Sequence, residues 1–299
     1  MLALGTPVVD VFYEADYTFL KKHGLLVGCT NHLSDEKVLA IEKELTPILS
    51  MPGDNARNVC EAYMASGGSD CAYIGNIAKD LKGEMIRDNL KTHSIADKMN
   101  EVLGKTGRIM CIITPDKHRT FAVYLGVGDS EVKFSNLKAP EIFFCTSITF
   151  FANGVGESAF EMAKKFKEGG SKIAISLESP NILEKNVDRI DEILLLADYL
   201  FLNLDEMKAI GKTKHGVGGL AKMVFLKLGD KGCSVYNEGR LLGQVKAVEV
   251  KEVKDTTGAG DFYAGAVLHS LSHGKNLIET AQAGNLMAAR VISKIGAGL

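Results

Sequence analysis

The chain has 299 residues, of which 46% are hydrophobic, so it is long enough to bury a large core in one or two domains. The net charge of −2 argues against a nucleic-acid partner, and no apolar run is long enough to span a bilayer. The six cysteines form no Cys-x-x-Cys pair, which argues against a zinc site. We therefore expect reduced thiols in a cytoplasmic protein without a signal peptide.

The first predicted element is a strand from Leu2 to Phe12. Its nearly continuous apolar run indicates burial on both faces of a sheet. Asp10 interrupts this run, and a buried carboxylate is costly unless it is hydrogen-bonded. Asp10 therefore either ends the strand as a capped residue or accepts hydrogen bonds from hydroxyl groups of a ligand. A helix is predicted next, from about Asp35 to Leu49.

A turn and a second helix follow, from Met51 to about Ala65. Asp54 stands at the start of this helix, where a carboxylate caps free backbone amides or accepts a ligand hydroxyl. Further along, residues 108–113 and 119–125 alternate in polarity and flank a short turn. They predict a β-hairpin.

From Glu141 the chain alternates short apolar strands with amphipathic helices. Such repeated βα units predict a mostly parallel sheet with helices on both faces, and ligands then bind at the carboxyl ends of the strands. Strands are predicted at 142–145, 172–177, 199–202 and 224–228, and helices at 157–168 and 187–196.

Two of these strand ends carry polar or glycine residues. Asn203 and Glu206 stand three apart at a helix start, where they form a capping box, face one site, or do both. Gly229 opens the turn after the strand at 224–228, and a tight hairpin turn is the default interpretation there.

A glycine turn near the C-terminus, Gly258-Ala259-Gly260-Asp261, carries the clearest chemical signal. An alternating run from Val245 to Val253 predicts a strand before it, and the residues from Phe262 to Ser272 predict a helix after it. The free amides of a helix start favour phosphate oxygens, and an aspartate in the first turn can take the proton of an attacking alcohol. On spacing alone, an ordinary capped helix start explains the pattern equally well.

The stretch Asp255-Thr256-Thr257-Gly258-Ala259-Gly260-Asp261 resembles the C-terminal signature of the ribokinase, or PfkB, family of carbohydrate and nucleoside kinases. The resemblance implies an α/β fold, a ribokinase-like three-layer sandwich with a mostly parallel central sheet. It implies a single domain over residues 1–299, with a small β lid built from about 11–34 and 108–127. It also implies that Asp261 is the catalytic base and that Gly258, Ala259 and Gly260 form the anion hole.

The family pattern extends to other positions of this chain. It implies substrate contacts by Asp10, Gly53 and Asn58, and the Asp54 carboxylate is a further candidate contact. It implies ATP or phosphate contacts by Asn203, Glu206, Thr257, Gly229, Arg119 and Asn285, with Glu206 near Mg²⁺ through water. For Arg119, an ordinary surface arginine on the hairpin explains the sequence at least as well. Thr6 departs from the family's usual asparagine, and Asp54 stands where a second glycine is usual.

The opening Gly-Thr-Pro-x-x-Asp and the stretch Leu177-Glu178-Ser179-Pro180 resemble the adenosine-kinase-like branch. The resemblance implies an ATP- and Mg²⁺-dependent kinase that phosphorylates a primary hydroxyl of a nucleoside, adenosine first. A sugar kinase for ribose or fructose is the alternative, and a catalytically silent nucleoside-binding protein is a third. A nicotinamide-dependent dehydrogenase is disfavoured, because no Gly-x-Gly-x-x-Gly follows the first strand. The oligomeric state stays open.

Overall fold

The computed structural model describes residues 1–211, 222–294 and 296–298 of the chain. In chain order, the strands of this part are β1 (Leu2–Leu4), β2 (Val8–Glu14), β3 (Thr30–His32), β4 (Leu49–Pro52), β5 (Ala72–Ile74), β6 (Asn76–Ile77), β7 (Ala96–Asp97), β8 (Asn100–Glu101), β9 (Thr106–Ile113), β10 (Arg119–Gly126), β11 (Ile142–Thr146), β12 (Lys172–Ser176), β13 (Tyr199–Asn203), β14 (Met223–Lys227), β15 (Cys233–Asn237) and β16 (Arg240–Val245).

Eleven α-helices lie in the same described residues, with short 3-10 turns at Val127–Asp129 and Gly229–Lys231. The α-helices are α1 (Tyr17–Lys22), α2 (Asp35–Glu42), α3 (Asn55–Ala65), α4 (Leu81–Thr92), α5 (Ser147–Phe150), α6 (Gly156–Glu168), α7 (Pro180–Lys185), α8 (Val187–Leu196), α9 (Leu204–Ile210), α10 (Ala259–Ser272) and α11 (Leu277–Val291). None of them is both long and apolar enough to cross a membrane.

The central sheet has nine strands in the order β16-β15-β14-β13-β12-β11-β1-β5-β7. Each of the seven strands β14, β13, β12, β11, β1, β5 and β7 pairs in parallel with the next one in this order. Strands β15 and β16 add an antiparallel edge beside β14. Alternate side chains of β1 face opposite sides of the central sheet. Ala3 packs with α3, α10 and α11, whereas Leu2 and Leu4 pack with α6 and α8 on the other side. The predicted three-layer α/β fold with a mostly parallel sheet is therefore confirmed.

A second sheet of five strands, in the order β3-β10-β9-β2-β4, contains the predicted hairpin as β9 and β10. Its strands overlap the stretches 11–34 and 108–127 that were assigned to a lid, and it also includes β4. Its side chains Val9, Val11 and Met110 belong to the same buried cluster as one face of the central sheet. The function of this sheet as a lid stays a prediction.

Three predicted elements were wrong. The single strand over residues 2–12 is two strands in different sheets, because Pro7 lacks the amide that a continuous ladder needs. The helix from Asp35 ends at Glu42, well before Pro47, and the chain then forms β4. Residues 246–253 form no strand, because Val248, Val250 and Val253 line a cavity instead of a sheet face.

Candidate active site

The N-terminus of α10 presents free backbone amides. Gly258 caps the helix in the left-handed conformation with a φ of 77°, and a Cβ there would stand 2.7 Å from the Cβ of Ala297. The Ala259 amide donates to the Thr256 carbonyl at 3.2 Å. The amides of Gly258 and Gly260 donate to no acceptor in the described part of the chain. These two amides can therefore bind an anion.

Asp261 lies in the first turn of α10 and is only 7% exposed. Asn58 Nδ2 donates to its Oδ2 at 2.9 Å, and Asn55 Nδ2 approaches its Oδ1 at 3.5 Å. Both asparagines belong to α3, which packs closely on α10 because Gly265 leaves room for the Val59 carbonyl. Burial raises the pKa of Asp261 to about 6, although the Asn58 hydrogen bond opposes this rise.

Glu178 is a buried carboxyl group beside Asp261 to which sequence reasoning assigned no role. Asn55 Nδ2 donates to its Oε2 at 2.7 Å, so one amide serves both carboxyl groups. The other oxygen, Oε1, is buried without a hydrogen-bond partner. Burial, reinforced by the charge of Asp261, raises the pKa of Glu178 well above its usual range. Its place just after the buried strand β12 was the available signal.

Asp10 lies on β2, between β4 and β9 of the second sheet, and not in the central sheet. Gly53 lies directly against it, since a Cβ on Gly53 would stand 2.7 Å from Asp10 Oδ2. Burial raises the pKa of Asp10 to about 7; the Arg57 charge lowers it and the Asp54 charge raises it. The same two charges act on Asp261, so Asp10 and Asp261 lie in one electrostatic neighbourhood.

Asp54 caps α3, which is one of the two interpretations left open by the sequence. Its Oδ2 accepts from the Arg57 amide at 3.2 Å and from the Tyr73 hydroxyl at 2.7 Å, and its Oδ1 accepts from the Thr6 amide at 3.3 Å. The backbone at Asp54 has a φ of 90°, a conformation that favours glycine. Gly5 makes room for the carboxylate, because a Cβ on Gly5 would stand 2.0 Å from Asp54 Oδ2.

Arg119, at the start of β10, connects the second sheet to the glycine turn. Its guanidinium donates to both carboxylate oxygens of Asp255, at 3.5 and 3.3 Å, and to Thr257 Oγ1 at 3.1 Å. Burial would raise the pKa of Asp255, but hydrogen bonds from Thr257, Gly296 and Arg119 hold it at about 2. Asp255 is thus an ionised anchor for this turn, a role that sequence reasoning did not assign.

Asn203 and Glu206 form the capping box of α9. The Asn203 amide and its Nδ2 each donate at 2.8 Å to a different oxygen of Glu206, and the Glu206 amide donates to Asn203 Oδ1 at 2.9 Å. Burial raises the pKa of Glu206, against the charge of Lys227. Within the described residues, no three His, Cys, Asp or Glu side chains lie close enough to hold a metal ion by themselves.

A cavity of about 530 Å³ opens beside the glycine turn, and its size suits a small-molecule ligand. Its lining includes Gly229 and Asn285 together with Ala259, Gly260 and Lys227. Asn285 Nδ2 donates to the backbone carbonyls at 245 and 246, at 3.2 and 2.9 Å, and so holds the irregular segment that forms one wall. The rest of the lining is largely apolar: Ala247, Val248, Val250, Val253, Tyr263, Ala288, Ala289 and Ile292.

The predicted site residues therefore fall into two groups that meet at α10. One group surrounds the Asp261 carboxylate and contains Asn58, with Asp10, Gly53 and Asp54 alongside. In the other group, Gly229 and Asn285 line the cavity, and Asn203 and Glu206 lie at the strand end beside it. Arg119 and Thr257 contact each other at the glycine turn. The roles of both groups in binding stay predictions.

Comparisons with known proteins identify the family and relatives of this chain. The family model described as pfkB family carbohydrate kinase matches residues 50–299. The chain is 20% identical to an adenosine kinase of Dictyostelium discoideum, over 99% of this chain and 95% of that protein. It is 24% identical to a fructokinase of Solanum tuberosum, over 79% and 76% of the two chains. The crystal structure of adenosine kinase from Sinorhizobium meliloti matches with a TM-score of 0.87 and 24% identity, over 100% of this chain and 95% of that one.

Proposed function

The chain belongs to the PfkB family of carbohydrate kinases and is therefore a phosphotransferase with an alcohol acceptor, and we propose that it transfers the γ-phosphoryl group of ATP to the primary hydroxyl of a nucleoside. Adenosine is the first candidate acceptor. The observation that carries the proposal is the buried carboxylate of Asp261, held by Asn58 at 2.9 Å one residue beyond the free amide of Gly260. A proton acceptor and an anion site thus lie side by side, as phosphoryl transfer requires.

In the proposed reaction Asp261 accepts the proton of the acceptor hydroxyl while its oxygen attacks the γ-phosphorus. The amides of Gly258 and Gly260 donate hydrogen bonds to the phosphoryl oxygens, where negative charge is greatest. Asp261 can act near neutral pH because its pKa is raised only to about 6, which leaves the carboxylate mostly ionised.

Asp10 is the proposed ligand of the ribose hydroxyl groups. Its carboxylate forms no hydrogen bond within the described residues, although burial makes a partner valuable, and Gly53 leaves space beside it. Two adjacent hydroxyls, donating to the two oxygens of one carboxylate, would satisfy it. Asp54 already accepts three hydrogen bonds from the protein, so its proposed contribution to substrate binding is to shape the pocket and add negative charge.

The cavity beyond α10 is the proposed ATP site. Its apolar walls suit an adenine ring, and Gly229 and Asn285 lie in its lining. Arg119 contacts Thr257 at the glycine turn, where it would exchange Asp255 for a phosphate oxygen of the bound nucleotide. Magnesium bound to ATP would neutralise phosphate charge. Asn203 and Glu206 would hold it through water, because the side-chain oxygens of each residue already accept hydrogen bonds from N–H groups of the other.

A sugar acceptor is the second candidate, favoured by the likeness to the fructokinase of Solanum tuberosum. The test is ADP release from Mg-ATP with adenosine, cytidine, ribose and fructose as acceptors. 5′-Deoxyadenosine is the matched control, since it differs from adenosine only in the primary hydroxyl. We expect turnover with a nucleoside and none with the deoxy control. Turnover with sugars alone would contradict the nucleoside proposal, and nucleoside binding without any turnover would indicate a non-catalytic binding protein.

A further inference from the structure

Lys227 is the last residue of β14 and lies in register with Asn203 on the neighbouring strand β13. Its side chain reaches the glycine turn, because a Cβ on Gly260 would stand 2.8 Å from Lys227 Nζ. The backbone of Gly260 needs no left-handed conformation, so the absence of a side chain there serves to admit the ammonium group. The cation thus lies beside one of the two free amides of α10.

Within residues 1–211, 222–294 and 296–298, no group forms a hydrogen bond or an ion pair with the ammonium group of Lys227. Three carboxyl groups, Glu178, Glu206 and Asp261, lie close enough for its charge to lower the pKa of each. None of them forms an ion pair with it. A half-buried cation that lines the cavity without a partner is suited to an anionic ligand.

We propose that Lys227 is a further catalytic residue, whose ammonium group contacts the γ-phosphoryl group during transfer. This inference rests on the proposed function of the same site. The bond from the acceptor oxygen to the γ-phosphorus forms, and the bond from that phosphorus to the bridging oxygen breaks. The electron pair of the broken bond stays with ADP, and the hydroxyl proton goes to Asp261. Lys227 donates hydrogen bonds to the phosphoryl oxygens from the side of Gly260, and forms no covalent bond.

The alternative is that Lys227 only reduces repulsion among the three carboxyl groups. The two roles predict different effects of the lysine on the affinity for nucleotides. A contact with the γ-phosphoryl group strengthens binding of a triphosphate but not of a diphosphate, whereas a purely structural role affects both alike. The same contact strengthens as the phosphoryl group is transferred, so it acts on kcat more than on the KM of the acceptor.

The experiment compares Lys227→Met with Lys227→Arg, which keeps the charge, and with Lys222→Met. Lys222 lies just before the opposite end of β14, where its Nζ pairs with Asp198 at 3.4 Å, so it controls for the loss of one lysine. We expect Lys227→Met to lower kcat about 100- to 1,000-fold, the usual effect of removing one donor to the developing charge. The arginine variant retains part of the activity, and Lys222→Met keeps wild-type kinetics.

Calorimetric titration with ADP and with the non-hydrolysable β,γ-imido analogue of ATP provides a readout that needs no turnover. In Lys227→Met we expect the affinity for the analogue to fall about tenfold or more, with the ADP affinity unchanged. An unchanged kcat, or equal losses of affinity for both nucleotides, would overturn the proposal. If the wild-type protein phosphorylates no acceptor, the proposed function fails, but the titration still decides whether Lys227 contacts the terminal phosphoryl group.

Discussion

Replacing Asn58 by alanine should shift the pH dependence of the reaction. Asn58 Nδ2 donates to Asp261 Oδ2 at 2.9 Å and stabilises the ionised carboxylate. A hydrogen bond to a charged group contributes about 1.5–3 kcal/mol, and one pKa unit corresponds to about 1.4 kcal/mol. Loss of this bond should therefore raise the pKa of Asp261 by about one to two units, from about 6 to about 7–8.

The sign of the effect follows from the role of Asp261 as the base. Activity requires the ionised carboxylate, so it is lost as the pH falls through the pKa of Asp261. In the variant this loss occurs at higher pH, and at neutral pH a larger fraction of the enzyme is protonated. The assay is kcat/KM for the acceptor from about pH 5 to 9, because this ratio reports the pKa of the free enzyme.

Asn89→Ala is the matched control for Asn58→Ala. Asn58 Oδ1 and Asn89 Oδ1 accept hydrogen bonds from different nitrogens of the Arg57 guanidinium, and Asn89 Oδ1 lies 2.9 Å from Arg57 Nη1. Of the two asparagines, only Asn58 also donates to Asp261. We expect the acid limb of the control to match that of the wild type. If the acid limb of Asn58→Ala coincides with the wild type while its plateau falls, the pKa of Asp261 does not govern activity and the reasoning is refuted.

Two further changes test the pocket around Asp10 and Asp54 in the ligand-free protein. The pKa of Asp10 is raised from 3.8 to about 7, so the folded state retains a proton that the unfolded state releases between these values, and stability falls as the pH rises through this window. Asp10→Asn should therefore raise Tm more at about pH 8 than at about pH 5. An equal rise at both pH values would contradict the idea that the ionised Asp10 carboxylate destabilises the folded state. Gly5→Ala places a Cβ 2.0 Å from Asp54 Oδ2 and should lower the free energy of unfolding in urea by about 1–3 kcal/mol. Gly211→Ala meets no atom nearer than 3.3 Å and should change it by less than about 0.5 kcal/mol, and similar losses in both variants would show that the close contact at Gly5 is not the cause.

The sequence predicted the elements whose patterns are local and repeated. The βα units from Glu141 onward agree with β11 to β14 and their helices within one or two residues. The position of Asp261 in the first turn of a helix is also confirmed. Both follow from periodicity and from glycine punctuation, which short-range energetics control.

Patterns that have two physical explanations misled the sequence reasoning. The alternating valines after Val245 resemble a strand, but the period of two also fits an extended segment whose apolar side chains line a cavity. The missing Cβ of Gly260 also gives room to Lys227, a contact that sequence reasoning did not predict. Such cases depend on which distant element packs opposite, and a single sequence does not contain that information.

Contacts between distant segments were likewise beyond the sequence. Asn55 contacts Glu178, 123 residues later in the chain, and Asp261, 206 residues later. Arg119 reaches Asp255 from the other sheet. Asp54 shows a mixed outcome. The family's usual glycine at that position agrees with its φ of 90°, but the hydrogen bond from Tyr73 that helps to hold its carboxylate was not predicted.

The central claim is that Asp261 is the base of a phosphoryl transfer. The most direct test is ADP release from Mg-ATP with adenosine for the wild-type protein and for Asp261→Asn, which keeps the size of the side chain. We expect turnover by the wild type and a fall in kcat of about 100-fold or more in the variant, because the variant lacks the general base. Equal activity in both proteins would contradict the claim and remove Asp261 from the mechanism.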